Sequence, residues 1–195
     1  MPSTTTTDEK ARLRRRIRHL EGAMSQSERF ESDGVLLRRF MELPQVAESE
    51  TLLLFWGMGA EPDTHSIFQP LLKEGKVIGL PRCLPGGGME FRRYEGEEHI
   101  TLHPYGMREP DLSCPLILPR AADLALIPAM CYDETCLRLG RGGGFYDRFL
   151  AGFSGHTVGL CRERLLQKRC PAQPHDRQVE LVLTEDRSFR QNVTG

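Results

Sequence analysis

The run Asp123-Leu124-Ala125-Leu126-Ile127-Pro128-Ala129-Met130 leads, through a short reversal at residues 131–137, into Arg138-Leu139-Gly140-Arg141-Gly142-Gly143-Gly144-Phe145-Tyr146-Asp147. The first part is apolar and of strand length, as a buried strand requires. The second sets four glycines and two arginines ahead of an aromatic pair and an acid. Bare backbone N–H groups and fixed positive charge bring a chain up against an anion. Four glycines in five positions weaken helix and strand alike, so a mere surface connector gains nothing from them. The stretch reads as a phosphate site at the carboxyl end of a strand and at the start of a helix over residues 144–151, where open α/β sheets bind ligands. It fits neither familiar phosphate motif. No Lys-Ser or Lys-Thr follows the glycines, and Phe145 stands where a dinucleotide fingerprint wants its last glycine.

Outward from this stretch, apolar runs at residues 51–56, 76–81, 157–161 and 179–184 supply further strands, with residues 89–94 as a hairpin partner. The glycines at 86–88 lie between expected strands and read as the hairpin turn, not as a second phosphate loop. Helices are expected over residues 8–21, 65–74 and 163–169, with Thr64 as N-cap of the second and Pro70 kinking or tightening it. Ser25-Gln26-Ser27-Glu28 offers a capping box for another helix, with Phe30, Gly34, Leu37 and Met41 at helical spacing up to a stop at Pro44. Residues 99–119 are irregular and proline-rich, suited to covering an edge or an opening. Strands alternating with helices predict an α/β fold with a mostly parallel central sheet.

A chain of 195 residues is read as one domain over residues 8–195, behind a polar, Thr-rich tail at residues 1–7. The 26 basic and 27 acidic residues nearly cancel, so there is no overall bias towards nucleic acid or membrane, and any positive site must be local. No signal peptide or membrane span is expected, which points to the cytoplasm; a monomer is the default. Six cysteines form no Cys-x-x-Cys pair and show no zinc spacing, so they are read as reduced thiols without assigned chemistry. Six basic residues crowd the first helix. At about 100° per residue, Lys10 and Arg14 fall together beside the apolar stripe of Leu13, Ile17 and Leu20, while Arg12 and Arg15 point away.

Lys10-x-x-x-Arg14, the strand with Glu61 and Thr64 after it, the stretch from Arg138 to Asp147, and Pro174-His175-Asp176 ahead of Thr184-Glu185 occur in the order found in one enzyme family. The chain resembles the 5-formyltetrahydrofolate cyclo-ligases, also called 5,10-methenyltetrahydrofolate synthetases, over most of its length. The resemblance implies a three-layer α/β/α fold, ATP as co-substrate, magnesium, and cyclisation of 5-formyltetrahydrofolate to the 5,10-methenyl form with release of ADP and phosphate. It also implies the roles of individual residues. Lys10, Arg14, Arg138, Gly140, Arg141, Gly142, Gly143, Gly144, Phe145 and Tyr146 would bind ATP, with Arg141 catalytic. Trp56, Glu61 and the loop from Arg141 to Phe145 would meet the folate, and Asp147 and Asp176 would hold Mg²⁺. Glu61 and Tyr146 stand equally as proton acceptors for N10.

Three departures from the family pattern are visible. Cys136 stands where glycine is usual in the turn, Phe145 replaces a tyrosine, and Cys161-Arg162 replaces an apolar pair. Two other readings remain open on sequence: a relative that acts on another small metabolite, and a folate-binding or nucleic-acid-binding relative without turnover. Nucleic-acid binders usually carry a basic stripe with aromatics, whereas here the basic cluster is one helix.

Overall fold

Within the apolar runs, neighbouring side chains point to opposite faces of a strand, and this sorts the core into two halves. In the computed structural model, which describes residues 4–191, Leu52, Leu54, Leu124 and Leu126 line one half, while Leu53, Ala125 and Ile127 line the other. Helices α1 (Thr4–Gly22), α2 (Gln26–Met41), α3 (Pro44–Glu48), α4 (Phe68–Lys73) and α5 (Phe145–Leu150) cover both faces. Leu36, Leu37 and Phe40 of α2, Val46 of α3 and Phe68 and Leu71 of α4 close the first half. Ile17 of α1, with Tyr146 and Phe149 of α5, closes the second. The result is the expected three-layer α/β/α arrangement.

In chain order the strands are β1 (Thr51–Leu53), β2 (Val77–Cys83), β3 (Met89–Arg93), β4 (Ile100–Leu102), β5 (Arg108–Pro110), β6 (Leu116–Ile117), β7 (Leu124–Ile127), β8 (Cys131–Tyr132), β9 (Arg138–Leu139), β10 (His156–Leu160), β11 (Leu181–Leu183) and β12 (Ser188–Arg190). Eight form one sheet in the order β12-β11-β10-β7-β1-β2-β3-β6. The stretch from β11 to β2 is parallel and its flanks are antiparallel. Those parallel strands are the ones marked by the apolar runs. From β1 the chain moves one way to β2; from β7 it moves the other way to β10. The carboxyl ends of β1 and β7 therefore flank a switch point, the usual place for a ligand crevice.

Several expectations need correcting. Helix α1 already includes Thr4 to Thr7, so the tail boundary at residue 7 does not hold, and residues 1–3 lie outside the described residues. The capping box at Ser25 and Glu28 is present, but Phe30 is 79% exposed and the buried face runs through Leu36, Leu37 and Phe40. Pro44 opens α3 at its first turn. Thr64 caps nothing: its hydroxyl donates to Phe55 O and accepts from Gly57 N at 3.1 Å, closing the loop after β1. Pro70 falls in the first turn of α4, behind a 3-10 turn at Thr64–Ile67. The helix expected over residues 163–169 is a single 3-10 turn, because Gln167 is drawn into pairing with Tyr132 O and Glu134 N instead.

Cys136 sits at the tip of the β8–β9 hairpin with φ 66°, the one non-glycine residue with positive φ among the described residues. Its amide donates to Asp133 O and its carbonyl accepts from Val179 N, so the turn is pinned on both sides. A left-handed residue other than glycine costs about 1–2 kcal/mol, more when β-branched. Cys136→Gly is therefore expected to keep the urea midpoint close to that of the parent, since relief of strain offsets the lost sulfur contact. Cys136→Val should lower stability by about 2 kcal/mol or more. Equal midpoints for the two variants would show that the turn is not strained.

Candidate active site

The hairpin β8–β9 turns the chain back after β7 and delivers Arg138 and Leu139, both buried, to the carboxyl end of the sheet. Asp133 fixes the tip: its buried carboxylate accepts from the Thr135 amide and hydroxyl and from the Leu137 and Cys170 amides. Beyond β9 the glycine loop begins. Gly142 (φ 109°) and Gly144 (φ 68°) hold conformations that side chains rarely adopt. A Cβ on Gly140 would meet Arg138 Nη1 at 2.7 Å. The loop is thus bare backbone by necessity, wrapped closely by guanidinium groups.

A cavity of about 410 Å³ opens over this loop, a size typical of small-molecule sites. Each residue assigned a role on sequence lines it: Lys10, Arg14, Trp56, Glu61, Arg138, Gly140, Arg141, Gly142, Gly143, Gly144, Phe145, Tyr146, Asp147 and Asp176. Segments 166 residues apart meet here. Phe55, Trp56 and Met58 come from the end of β1, and Pro128 and Ala129 from the end of β7.

The charges are arranged as opposed pairs. Lys10 Nζ lies 2.7 and 2.6 Å from the two Asp176 oxygens and 3.1 Å from Gln173 Oε1, with the lysine and aspartate side chains only 10% and 9% exposed. Arg138 Nη2 pairs with Asp147 Oδ2 at 2.8 Å. Arg141 Nε and Nη2 donate to Glu61 Oε1 at 3.1 and 2.8 Å, and Glu61 Oε2 accepts from Met58 N. Arg14 differs from these. Among the described residues it has no carboxylate partner; its Nε donates to Gly140 O at 2.9 Å, and its other nitrogens lie beside Gly142. A partly buried cation with no carboxylate beside it, held against a glycine loop, favours an incoming anion.

Trp56 is stacked on His65 at 4.1 Å, and the Arg108 guanidinium lies 5.1 Å from its ring centre, so part of the ring surface is already taken by protein. Burial pushes the Tyr146 hydroxyl far above its ordinary range, with the Glu61 charge adding to the shift. A hydroxyl shifted in this direction is disfavoured as a proton acceptor. Phe145 lies under Arg148, whose Nη2 donates to Gly143 O and Gly87 O and so ties the β2–β3 turn to the glycine loop. Arg162 is buried and structural. It donates to Ser32 Oγ and Ala60 O and pairs with Asp33 at 2.7 Å, anchoring the Glu61 loop to α2.

Some lining residues had no mark in the sequence. Met107, Arg108 and Glu109 enter from β5, so the irregular segment does cover an opening, as a hairpin wall. Gln173, which accepts from Lys10, follows no motif of its own. The proximity of Gln173 to Pro174-His175-Asp176 was the available signal.

An α/β sheet with cations, carboxylates and a bare glycine loop gathered at its switch point defines a phosphate-handling enzyme. The chain belongs to the 5-formyltetrahydrofolate cyclo-ligase family, whose model matches residues 6–185. It is 28% identical over 174 residues to the 5-formyltetrahydrofolate cyclo-ligase of Escherichia coli (strain K12), covering 86% of this chain and 96% of the relative. It is 31% identical over 150 residues to that of Mycolicibacterium smegmatis, covering 71% and 75%. The solution structure of an Aquifex aeolicus 5,10-methenyltetrahydrofolate synthetase superposes with a TM-score of 0.85 at 26% identity, over 95% of this chain and 94% of that one.

Proposed function

We propose that this cavity binds ATP along the glycine loop and 5-formyltetrahydrofolate along the wall of Trp56 and Glu61, and cyclises the folate to 5,10-methenyltetrahydrofolate with release of ADP and phosphate. The observation that carries the reading is the convergence of Lys10, Arg14, Arg138 and Arg141 on a loop of bare backbone, with Arg14 lacking a counter-ion among the described residues.

The chemistry follows from what a phosphoryl transfer needs. The formyl oxygen accepts the γ-phosphoryl group, N10 attacks the activated carbon, and phosphate leaves. Charge spreads over the phosphoryl oxygens during transfer, so positioned cations and backbone donors supply most of the stabilisation. Arg14 and the loop amides would hold phosphate oxygens, with Arg141 next to them at the folate side through Glu61. The Glu61 carboxylate suits the amino and ring N–H groups of a pterin.

The donor set also fits magnesium. Asp147 and Asp176 offer hard oxygen donors in the same cavity, which suits an ion that takes one or two carboxylates plus phosphate oxygens and water. That ion would supply further neutralisation of phosphate charge. Since both acids are now paired with Arg138 and Lys10, loading the site would exchange partners, freeing both cations for the phosphates.

Mixing the purified protein with 5-formyltetrahydrofolate, ATP and magnesium is expected to raise near-ultraviolet absorbance as the conjugated product forms. Omitting ATP should leave the absorbance flat. No change in the complete mixture, with folate binding retained in dialysis, would replace this reading with a binding protein.

A further inference from the structure

Among the described residues, His99, Asp111 and Cys114 are the one place where three metal-ligating side chains bring their donor atoms within 4.8 Å of one another. They lie outside the cavity, at the base of the β4–β5 hairpin. Sequence spacing gave no hint of them, because the histidine is brought to the other two only by folding. We propose that these three side chains form a binding site for a divalent cation of the zinc class, separate from the phosphate site.

The spacing of the imidazole and the carboxylate suits such an ion, and the Cys114 sulfur lies within 4.8 Å of both. In a tetrahedral zinc site with N and O ligands at about 2.0–2.1 Å, neighbouring ligand atoms stand about 3.3 Å apart. His99 Nδ1 and Asp111 Oδ2 are separated by 3.4 Å. The other carboxylate oxygen, Oδ1, accepts from the Ser113 amide at 2.8 Å and from the Ser113 hydroxyl, leaving Oδ2 to face the histidine. Carboxylates that bind metals are commonly oriented by such outer partners.

The backbone is held in place as well. Asp111 N donates to His99 O at 2.8 Å, and Cys114 N donates to Asp111 O. Arg92 Nη1 binds the carbonyls of Leu112 and Cys114 at 3.0 and 2.7 Å, clamping the loop that carries two of the ligands. His99 and Asp111 are partly exposed, which leaves a route from solvent, while Cys114 is buried. Three protein ligands leave a fourth position for water.

The mix of imidazole, carboxylate and thiol selects the ion. A thiol suits zinc and cobalt and is a poor partner for magnesium or calcium, which prefer oxygen alone. The Cys114 thiol is buried beside the Asp111 carboxylate. A divalent cation reverses the sign of that environment. On binding, the thiol gives its proton to solvent and the sulfur takes the metal. Occupancy would tie the β4–β5 hairpin, whose Met107, Arg108 and Glu109 form a wall of the cavity, to the chain at Cys114.

Cobalt(II) is the probe. Titrating it into the full, chelator-treated chain without nucleotide or folate should produce a thiolate-to-cobalt band in the near ultraviolet and intense visible bands of tetrahedral cobalt. Both should saturate at one equivalent and be displaced by zinc. Zinc should also raise the melting temperature of the parent protein. Cys114→Ser is expected to lose the near-ultraviolet band, and the more exposed His99→Gln to weaken cobalt binding at least tenfold without unfolding. Cobalt held by Asp147 and Asp176 alone would give no thiolate band, so this result overturns the proposal. A thiolate band that persists in folded Cys114→Ser, from a pair such as Cys131 and Cys170, overturns it too.

Discussion

Arg141→Ala is expected to lower turnover by about two to three orders of magnitude, the usual cost of removing one positioned donor from a charged transition state. Its unfolding midpoint should match that of the parent. The guanidinium is 56% exposed and spans the gap between the glycine loop and Glu61, to which it donates two bonds. Glu61 is only 11% exposed but keeps the Met58 amide as a donor when Arg141 is gone, so this half-exposed pair contributes little to stability. Its loss should therefore be felt in the reaction and not in the fold. Arg141→Lys keeps the charge but loses the two-pronged fork, so it should fall between parent and alanine variant. Near-normal turnover in Arg141→Ala, measured by the absorbance assay, would remove this residue from the chemistry.

The second large effect concerns Lys10 and Asp176. Removing one member of a buried pair strands the other, at a cost of about 3–5 kcal/mol. The Gln173 amide also donates to Asp176, at 2.6 Å, which places Lys10→Met towards the lower end. Replacing both, as Lys10→Met with Asp176→Asn, removes the stranded charge and should recover most of the stability. Turnover should stay lost in both single variants and in the double variant, because phosphate and metal each lose a partner. Urea unfolding and the absorbance assay on the four proteins of this cycle separate the two consequences. A Lys10→Met protein as stable as the parent would show that the pair is not held in solution. Recovered turnover in the double variant would refute the role of Lys10.

What could be read from the chain depended on the range of the interactions involved. The parallel strands were legible because strands covered on both faces need continuous apolar runs, and those runs need nothing distant to define them. The capping box at Ser25 is likewise local. The glycine loop could be read as an anion site because its composition makes little sense otherwise. Cys136 stood out because glycine is usual at its place in the resembled family, and its φ of 66° is a conformation that favours glycine.

The misreadings have a common cause. Gln167 leaves a helical pattern because Tyr132 and Glu134 offer it backbone partners from a distant hairpin, and tertiary pairing outweighs local propensity. The β4–β5 wall escaped notice since its strands are three residues each and the hairpin exposes Leu102 and, in its turn, Tyr105, so the alternation of a half-buried strand is lacking. In the site, residue types were legible but their pairing was not. Nothing local in Lys10-x-x-x-Arg14 says that the lysine is neutralised by Asp176 while the arginine is left without a counter-ion.

The Lys10–Asp176 contact has a bearing on how the molecule comes into being. A ribosome releases α1 first, and chains begin to fold from that end as they emerge. The lysine must then wait for its counter-ion to arrive, 166 residues later. The pocket gains its last wall late, with only β11 and β12 of the main sheet still to follow. A polypeptide halted just short of that aspartate would hold six of the eight strands of its main sheet and still lack one wall of the cavity.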